Sequence, residues 1–486
     1  MKKNWIGYLL VFILLIPNIV HATPLDFSGG VHNEYVYEEM VFITGAPVKF
    51  TGTYSVSENE RKGKITVNYK FSLKPEDKSI DGKLDRNITF ITTLTNHGDK
   101  SQTVGQTEIS KYSETIKIDG NTYTLTDYQF SKSDNIDNMP ASDFYLGIIK
   151  GRKHYNINRT EGEVIIDISG GNAGYKNFWG STETLIIDQV ITSKYYISDA
   201  ANEGTQSWQG TISIQVSDSL TKTLKYSENS VNLSSFEGGF ARVTNRSVVS
   251  RYEYNLPDDK GTIKLNQSMV PKLEMLIVPK FRDVNGHWAQ DEIKKLYSLE
   301  VFEDNSEIFA PDITVNRLEF IKAVIRACDI RPSLDEGKTA VKSKNEPLEV
   351  SKFIDISVKH PDYKYIKEGL NKGIITGTSG NTFGPAEPLT RAQAITILIR
   401  ALGFENKAPN PGYVTSFADD SKIPNWAKDS IYVAREVNLV SGDTYNRINP
   451  DKVLTRAEAS SMLVRFLEFL EKDLQKDYRE NIMNFY

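Results

Sequence analysis

Three copies of one pattern occupy the last part of this 486-residue sequence. Each opens with Phe-x-Asp, continues with helical periodicity, crosses a loop and a Pro, and restarts at a Thr-Arg-Ala-Glu-like tetrapeptide. The openings are Phe281-Arg282-Asp283, Phe353-Ile354-Asp355 and Phe417-Ala418-Asp419. The restarts are Asn316-Arg317-Leu318-Glu319, Thr390-Arg391-Ala392-Gln393 and Thr455-Arg456-Ala457-Glu458. From 281 to 353 is 72 residues and from 353 to 417 is 64; the Arg recurs after 74 and then 65. Two landmarks that keep nearly the same offsets three times define an internal repeat, and a repeat of this length fixes architecture before any other signal.

The tetrapeptide has a local physical meaning. A Thr or Asn at the N-cap and a Glu or Gln three residues later form a capping box, each side chain accepting from a free backbone N–H near the other. Capping explains Thr and Glu but not Arg, which gains nothing from the positive end of the helix dipole. A helix N-terminus plus a guanidinium is a carboxylate site, since the Arg fork offers two parallel hydrogen bonds. The alternative is a structural salt bridge.

The repeat resembles the surface-layer homology domain, a module of bacterial cell-surface proteins that occurs as a triplet. The third copy carries the pattern most fully: Phe417-Ala418-Asp419, Trp426-Ala427, Gly442, Pro450 and Thr455-Arg456-Ala457-Glu458. The resemblance covers Phe281 to Phe466, with repeats at 281–330, 353–403 and 417–466. It implies an α-helical pseudo-threefold assembly whose grooves hold a pyruvylated secondary cell-wall polysaccharide. It also implies a protein secreted to the wall or S-layer surface of a bacterium, with other S-layer subunits as further partners.

On that resemblance Arg317, Arg391 and Arg456 are the contacts for the pyruvyl carboxylate. Asp283, Asp355 and Asp419 either cap the first helix or accept from sugar hydroxyls. Trp288 and Trp426 stack on a pyranose face or fill the core, and the second copy offers Tyr363 or Tyr365 instead. Gly377 and Gly442 supply backbone freedom beside a ligand. The first copy has Glu300 and Asp304 where the second has Gly373 and Gly377. Extra carboxylates repel an anion, so Arg391 and Arg456 are expected to carry binding while the first site is largely structural.

The N-terminus reads as a secretory signal, 1–22: Lys2 and Lys3, an apolar run from Trp5 to Val20, and Val20-His21-Ala22 at the cleavage position. No later stretch is long and apolar enough to span a bilayer as a helix. The net charge of −5 argues against a nucleic-acid footprint. With Cys328 as the single cysteine no intrachain disulfide forms, and its apolar helix predicts a buried structural thiol.

Residues 23–280 follow a period of two. Ile65, Val67, Tyr69, Phe71 and Leu73 alternate with polar residues, as a half-buried strand requires. Ile116 and Ile118 face Tyr123 and Leu125 across Asp119-Gly120-Asn121, a hairpin signal. Turn residues every dozen or so positions predict a mainly-β, sandwich-like region, one domain or two. No motif of a zinc protease, nucleophile elbow, phosphate loop or dinucleotide fingerprint occurs. His32, His97 and His154 lack metal-ligand spacing, and neither metal nor cofactor is expected. Trp179 and Trp208 read as sugar-stacking residues or as core anchors. Residues 467–486 read as an amphipathic helical extension packed on the triplet.

The leading expectation is a non-catalytic surface protein: the triplet anchors it to wall polysaccharide and the β-rich part faces outward. The competing ones are an anchored carbohydrate-active enzyme, whose paired carboxylates would leave no motif, and an adhesin that binds carbohydrate or protein.

Overall fold

The computed structural model describes residues 27–98, 101–199, 202–227, 239–302, 306–328, 350–378 and 380–474. The expected signal segment 1–22, Asp304, residues 331–349 and the extension after Leu474 lie outside the described residues.

Among those residues the N-terminal region is built from antiparallel strands. They are β1 (Val31–His32), β2 (Tyr37–Val41), β3 (Val48–Arg61), β4 (Lys64–Pro75), β5 (Gly82–His97), β6 (Gln102–Ile118) and β7 (Asn121–Asn138). The series continues with β8 (Ser142–Ile157), β9 (Gly162–Asn177), β10 (Gly180–Asp199), β11 (Asn202–Ser227), β12 (Gly239–Asn255), β13 (Lys260–Ser268) and β14 (Lys272–Met275). Each strand from β1 to β13 pairs with its sequence neighbour in one continuous sheet, and β14 extends the edge by pairing with β12. The turns dictate this order. Lys62-Gly63 (φ 54° and 70°) and Asp119-Gly120 (φ 47° and 84°) place two successive residues at positive φ, the geometry that folds a twisted hairpin back on itself. Glycine removes the strain at the second position of both turns.

This arrangement corrects the sandwich expectation: a single meander replaces separate stacked sheets. Turn spacing reveals hairpins, but it does not report which face each hairpin adds to. The first strands return to the last ones. Asn33 Nδ2 donates to Gln267 Oε1 at 2.9 Å, Val270 N to Glu34 Oε1 at 2.8 Å, and Tyr252 Oη to the Gly29 carbonyl at 2.5 Å. Phe27 lies against Phe90 and Phe130, with ring centres 5.3 and 4.8 Å away. The sheet is therefore nearly closed around a buried interior.

The period-two pattern decides what faces inward. In β4, Ile65, Tyr69, Phe71 and Leu73 are buried, while Lys64, Lys70, Ser72 and Lys74 are exposed. In β7, Tyr123, Leu125, Tyr128 and Phe130 are buried and Thr124, Thr126, Gln129 and Ser131 exposed. This polar-out order is the reverse of a lipid-facing barrel. The interior also holds paired charges. Arg86 binds Glu39 through two bonds (2.7 and 2.9 Å) and Glu114 at 2.8 Å, and Lys153 lies 3.3 Å from Glu114. Pairing on this scale keeps buried ions tolerable.

The C-terminal region is helical: α1 (Gln290–Ser298), α2 (Arg317–Ala327), α3 (Tyr363–Asn371), α4 (Arg391–Leu402), α5 (Asn425–Glu436) and α6 (Arg456–Glu468). Single β-bridges join the segments before the second helices: Thr314 to Thr455, Asn316 to Pro388 and Thr390 to Val453. Each copy is thus stitched to both others. Phe320, Ile321 and Val324 of α2, Ile395, Leu398, Ile399 and Leu402 of α4, and Leu463 and Phe466 of α6 share one core. The Cys328 thiol is buried.

The same core crosses into the sheet. Trp179, from the turn between β9 and β10, is buried against the helices together with Tyr175 and Ala141. Asn177 ties the junction: its Nδ2 donates to the Leu470 carbonyl at 3.0 Å, and its Oδ1 accepts from Trp179 N and Gly180 N. Leu470 lies in the π-helical turn Phe469–Asp473, where the helical hydrogen-bond ladder is irregular and its carbonyls seek other donors. Ala141 N adds a bond to the Ala401 carbonyl at 2.9 Å. Trp179 is accordingly a core anchor, and Trp208 packs on the Gly45 turn.

Candidate functional site

The tetrapeptides form the helix starts that their sequence requires. Thr390 and Thr455 each accept from the backbone N–H of Gln393 and Glu458, and those side chains accept from the cap N–H, completing both capping boxes. In the first copy Asn316 accepts from Glu319 N at 2.8 Å, but the Glu319 carboxylate goes elsewhere.

The three arginines then reach across copy boundaries in a ring. Arg317 Nη2 donates to the Thr376 carbonyl of the second copy at 2.8 Å. Arg391 Nη2 points to the Ser441 carbonyl of the third, at 3.4 Å. Arg456 turns to the first, with Nε 3.1 Å from Glu319 Oε1 and the guanidinium 4.3 Å from the Phe309 ring centre. Sites are therefore composite. Sequence reading pairs each Arg with the glycine loop of its own copy; the structure pairs Arg317 with the loop of Gly377 and Arg391 with that of Gly442.

The opening aspartates are clasps. Asp283 accepts from Phe309 N and Ala310 N, Asp355 from Phe383 N and Gly384 N, and Asp419 from Ile448 N and Asn449 N. Burial pushes the Asp283 and Asp355 carboxyls up, but the backbone bonds outweigh it and hold both below the usual carboxylate range. Each clasp fixes the loop that precedes the next helix start. The second member of each pair, Ala310, Gly384 or Asn449, sits at positive φ. Tyr363 is buried in the helical core. Gly377 and Gly442 have ordinary φ. A Cβ on Gly377 would meet the Thr382 carbonyl at 2.6 Å, and one on Gly442 the Asn446 backbone at 2.8 Å, so loop packing requires both.

The arginines differ in what surrounds them. Arg317 is 6% exposed, lies 5.4 Å from the Phe383 ring centre and faces no described opening. Arg456 is enclosed by Phe302, Val315, Phe320, Glu319 and Leu463. Arg391 faces an open groove of about 280 Å³, lined by all three copies: Trp288 from the first, Arg391 from the second, and Ser441, Gly442, Asn449 and Arg465 from the third. Trp288 is 60% exposed at its rim; Trp426, 53% exposed, stands in the first turn of α5 and outside the lining.

This groove is cationic in an acidic chain. Arg447 is held by Asp443 at 2.8 Å and Lys452 by Glu458 at 2.5 Å. Arg391 and Arg465 have no carboxylate partner among the described residues. The Nε of Arg391 is buried without a hydrogen bond, as are those of Arg317 and Arg456, so it is the missing carboxylate that sets Arg391 apart from Arg456. Burial lowers the Arg391 guanidinium; Glu458 and Asp443 offset this in part, and the like charge of Arg465 adds to it. A half-buried cation short of anions is the complement of a carboxylate ligand. Arg465 went unnoticed in the sequence, although an Arg recurs nine residues after each N1 Arg, at 326, 400 and 465. Arg400 is neutralised by Glu405 at 2.9 Å.

Such a fold is a nearly closed β-sheet seated on a three-copy helical module with one open cationic groove. The C-terminal region carries three S-layer homology domains, matched at residues 280–321, 352–395 and 416–460. The chain is similar to an exoglucanase of Acetivibrio thermocellus, 30% identical over 39% of this chain and 16% of that protein. It is also similar to a surface-layer 125 kDa protein of Lysinibacillus sphaericus (24% identical; 41% of this chain, 16% of that protein). A cellulosome-anchoring protein of Acetivibrio thermocellus is 33% identical over 21% of this chain and 23% of its own length. The chain thus spans a small fraction of the curated relatives it matches.

Proposed function

We propose that the triplet holds this protein non-covalently at a bacterial cell surface by binding an anionic, pyruvylated secondary wall polysaccharide in the Arg391 groove. One observation carries the reading: among the described residues Arg391 and Arg465 share an open groove with no carboxylate partner, beside the exposed face of Trp288. A pyruvyl ketal brings the missing carboxylate on a sugar ring that Trp288 can stack against. The ring of cross-copy arginine contacts supports a pseudo-threefold assembly, and the β-rich region is the displayed, non-catalytic part.

Retention of the full-length protein on purified walls tests this. Arg391→Ala should weaken it about 10- to 150-fold, the equivalent of losing one charged hydrogen bond of roughly 1.5–3 kcal/mol. Walls stripped of pyruvyl groups should retain neither protein. Retention that ignores both treatments refutes the groove.

A further inference from the structure

Arg456 has the same setting as Arg391, the first helical position behind a Thr cap in a complete capping box. It nevertheless faces no open space. The difference lies in the carboxylate opposite. Glu458, which faces Arg391, is held back twice, by the cap N–H of Thr455 at 3.2 Å and by Lys452 at 2.5 Å. Gln393 is likewise turned back onto Thr390 N at 3.0 Å. Glu319 alone breaks this pattern: its cap, Asn316, receives no reciprocal bond, and its carboxylate crosses to Arg456 at 3.1 Å.

We propose that Glu319 is an internal counter-anion that occupies the Arg456 site, so that recognition of a ligand carboxylate is confined to the Arg391 groove. The inference rests on the reading of the Arg391 groove given above. Glu319 supplies to Arg456 the same group that a pyruvyl ketal would supply to Arg391. Being tethered, it competes at an effective concentration of about millimolar or higher. Phe302, Val315 and Leu463 flank the pair on its inner side and leave the Arg456 side chain only 11% exposed, so an unpaired Arg456 would be costly. The site is thus filled by the chain itself. Sequence hides this, because Glu at the third helical position looks like an ordinary capping-box residue.

Calorimetric titration of the full-length protein with a pyruvyl-ketal hexoside tests the idea in four forms: wild type, Arg391→Ala, Glu319→Gln/Arg391→Ala and Glu319→Ala/Arg391→Ala. Both Glu319 changes keep the backbone N–H that Asn316 accepts from, and melting confirms that each variant is folded. Wild type should bind, and Arg391→Ala should bind at least about tenfold more weakly. Removal of the Glu319 side chain vacates the space it fills beside Arg456, so Glu319→Ala/Arg391→Ala should recover binding to within about threefold of the wild-type constant. Glu319→Gln/Arg391→Ala, which keeps that volume filled, should recover less, and adding Arg456→Ala should abolish the recovery. A folded Glu319→Ala/Arg391→Ala variant that stays as weak as Arg391→Ala, while wild type binds through Arg391, overturns the role of Glu319 and leaves the groove reading intact. Wild-type binding indifferent to Arg391→Ala refutes the groove reading and removes the premise with it.

Discussion

The aspartate clasp decides between two roles for the same residue, and Asp419 is the sharpest place to separate them. Its side chain is 7% exposed, and its two oxygens accept from Ile448 N and Asn449 N, each at 2.8 Å. Asp419→Ala leaves two backbone donors without their acceptor, one of them at a residue held at φ 53°. A hydrogen bond to a charged group contributes about 1.5–3 kcal/mol. The two bonds share one carboxylate whose own burial cost also disappears, so the net loss should be about 3 kcal/mol, not the sum of both maxima. In a unit of about 150–250 residues, each kcal/mol lowers the melting temperature by roughly 2–4 °C, which gives a drop of about 6–12 °C. Asp419→Asn retains one acceptor and should lose about half as much. Amide exchange should accelerate first at residues 448 and 449. Wall retention of folded Asp419→Ala at low temperature should fall by less than the roughly tenfold expected of Arg391→Ala, because Asp419 is outside the groove lining and reaches it only through Asn449. A loss of retention with melting unchanged, or a destabilisation under about 1 kcal/mol, would refute the clasp and return Asp419 to a sugar-binding role.

Two further perturbations probe the sheet and the junction. Burial pushes Glu183 up to about 8 from an ordinary 4.5, outweighing the nearby Lys132. A folded-state pKa above the unfolded value means that its favourable contribution is present below about 4.5 and is lost as pH rises through about 8; Glu183→Gln should flatten the denaturant-midpoint profile across that window and melt above wild type at its alkaline end. Asn177→Ala removes the donor to Leu470 O and the acceptor for Trp179 N and Gly180 N; a loss of about 2 kcal/mol and faster protease cleavage between residues 268 and 281 are expected, and unchanged cleavage would show that the apolar contacts alone hold the junction.

Legibility in the sequence tracked the range of each interaction. The capping boxes of Thr390 and Thr455 and the alternation of Ile65, Tyr69, Phe71 and Leu73 are local, and both were readable. The destination of each arginine was not, because Arg391 meets Ser441 fifty residues away and in the next copy. Equivalent positions suggested equivalent sites within copies; the structure builds each site between copies. The role of Glu319 was hidden for the same reason, since its partner lies at position 456. The single meander was missed because strand spacing is alike in a sandwich and in a nearly closed sheet. Trp179 needed the helices that begin at Gln290, far downstream in the sequence, before its core role was visible.

The junction gives the groove a direction. Helix α4 begins with Arg391 at the groove and, in its last turn, presents the Ala401 carbonyl, which accepts from Ala141 of the β-rich region. Just beyond, the Gly403 turn packs against Met139. Twelve residues at about 1.5 Å each make α4 a spacer of roughly 18 Å between the two ends. Helix α6 contributes Ser461, Met462 and Arg465 to the groove and then continues through the π-helical turn to Leu470, where Asn177 grips it. Both helices that build the groove therefore end on the sheet. A glycan held at Arg391 would sit at the opposite end of α4 from the β-rich region, and the shared core around Trp179 would fix the angle between them. On the proposed function, anchoring and display would then be one mechanical problem: the π-helical turn Phe469–Asp473, held by Asn177, would aim the sheet away from the surface bound at the groove.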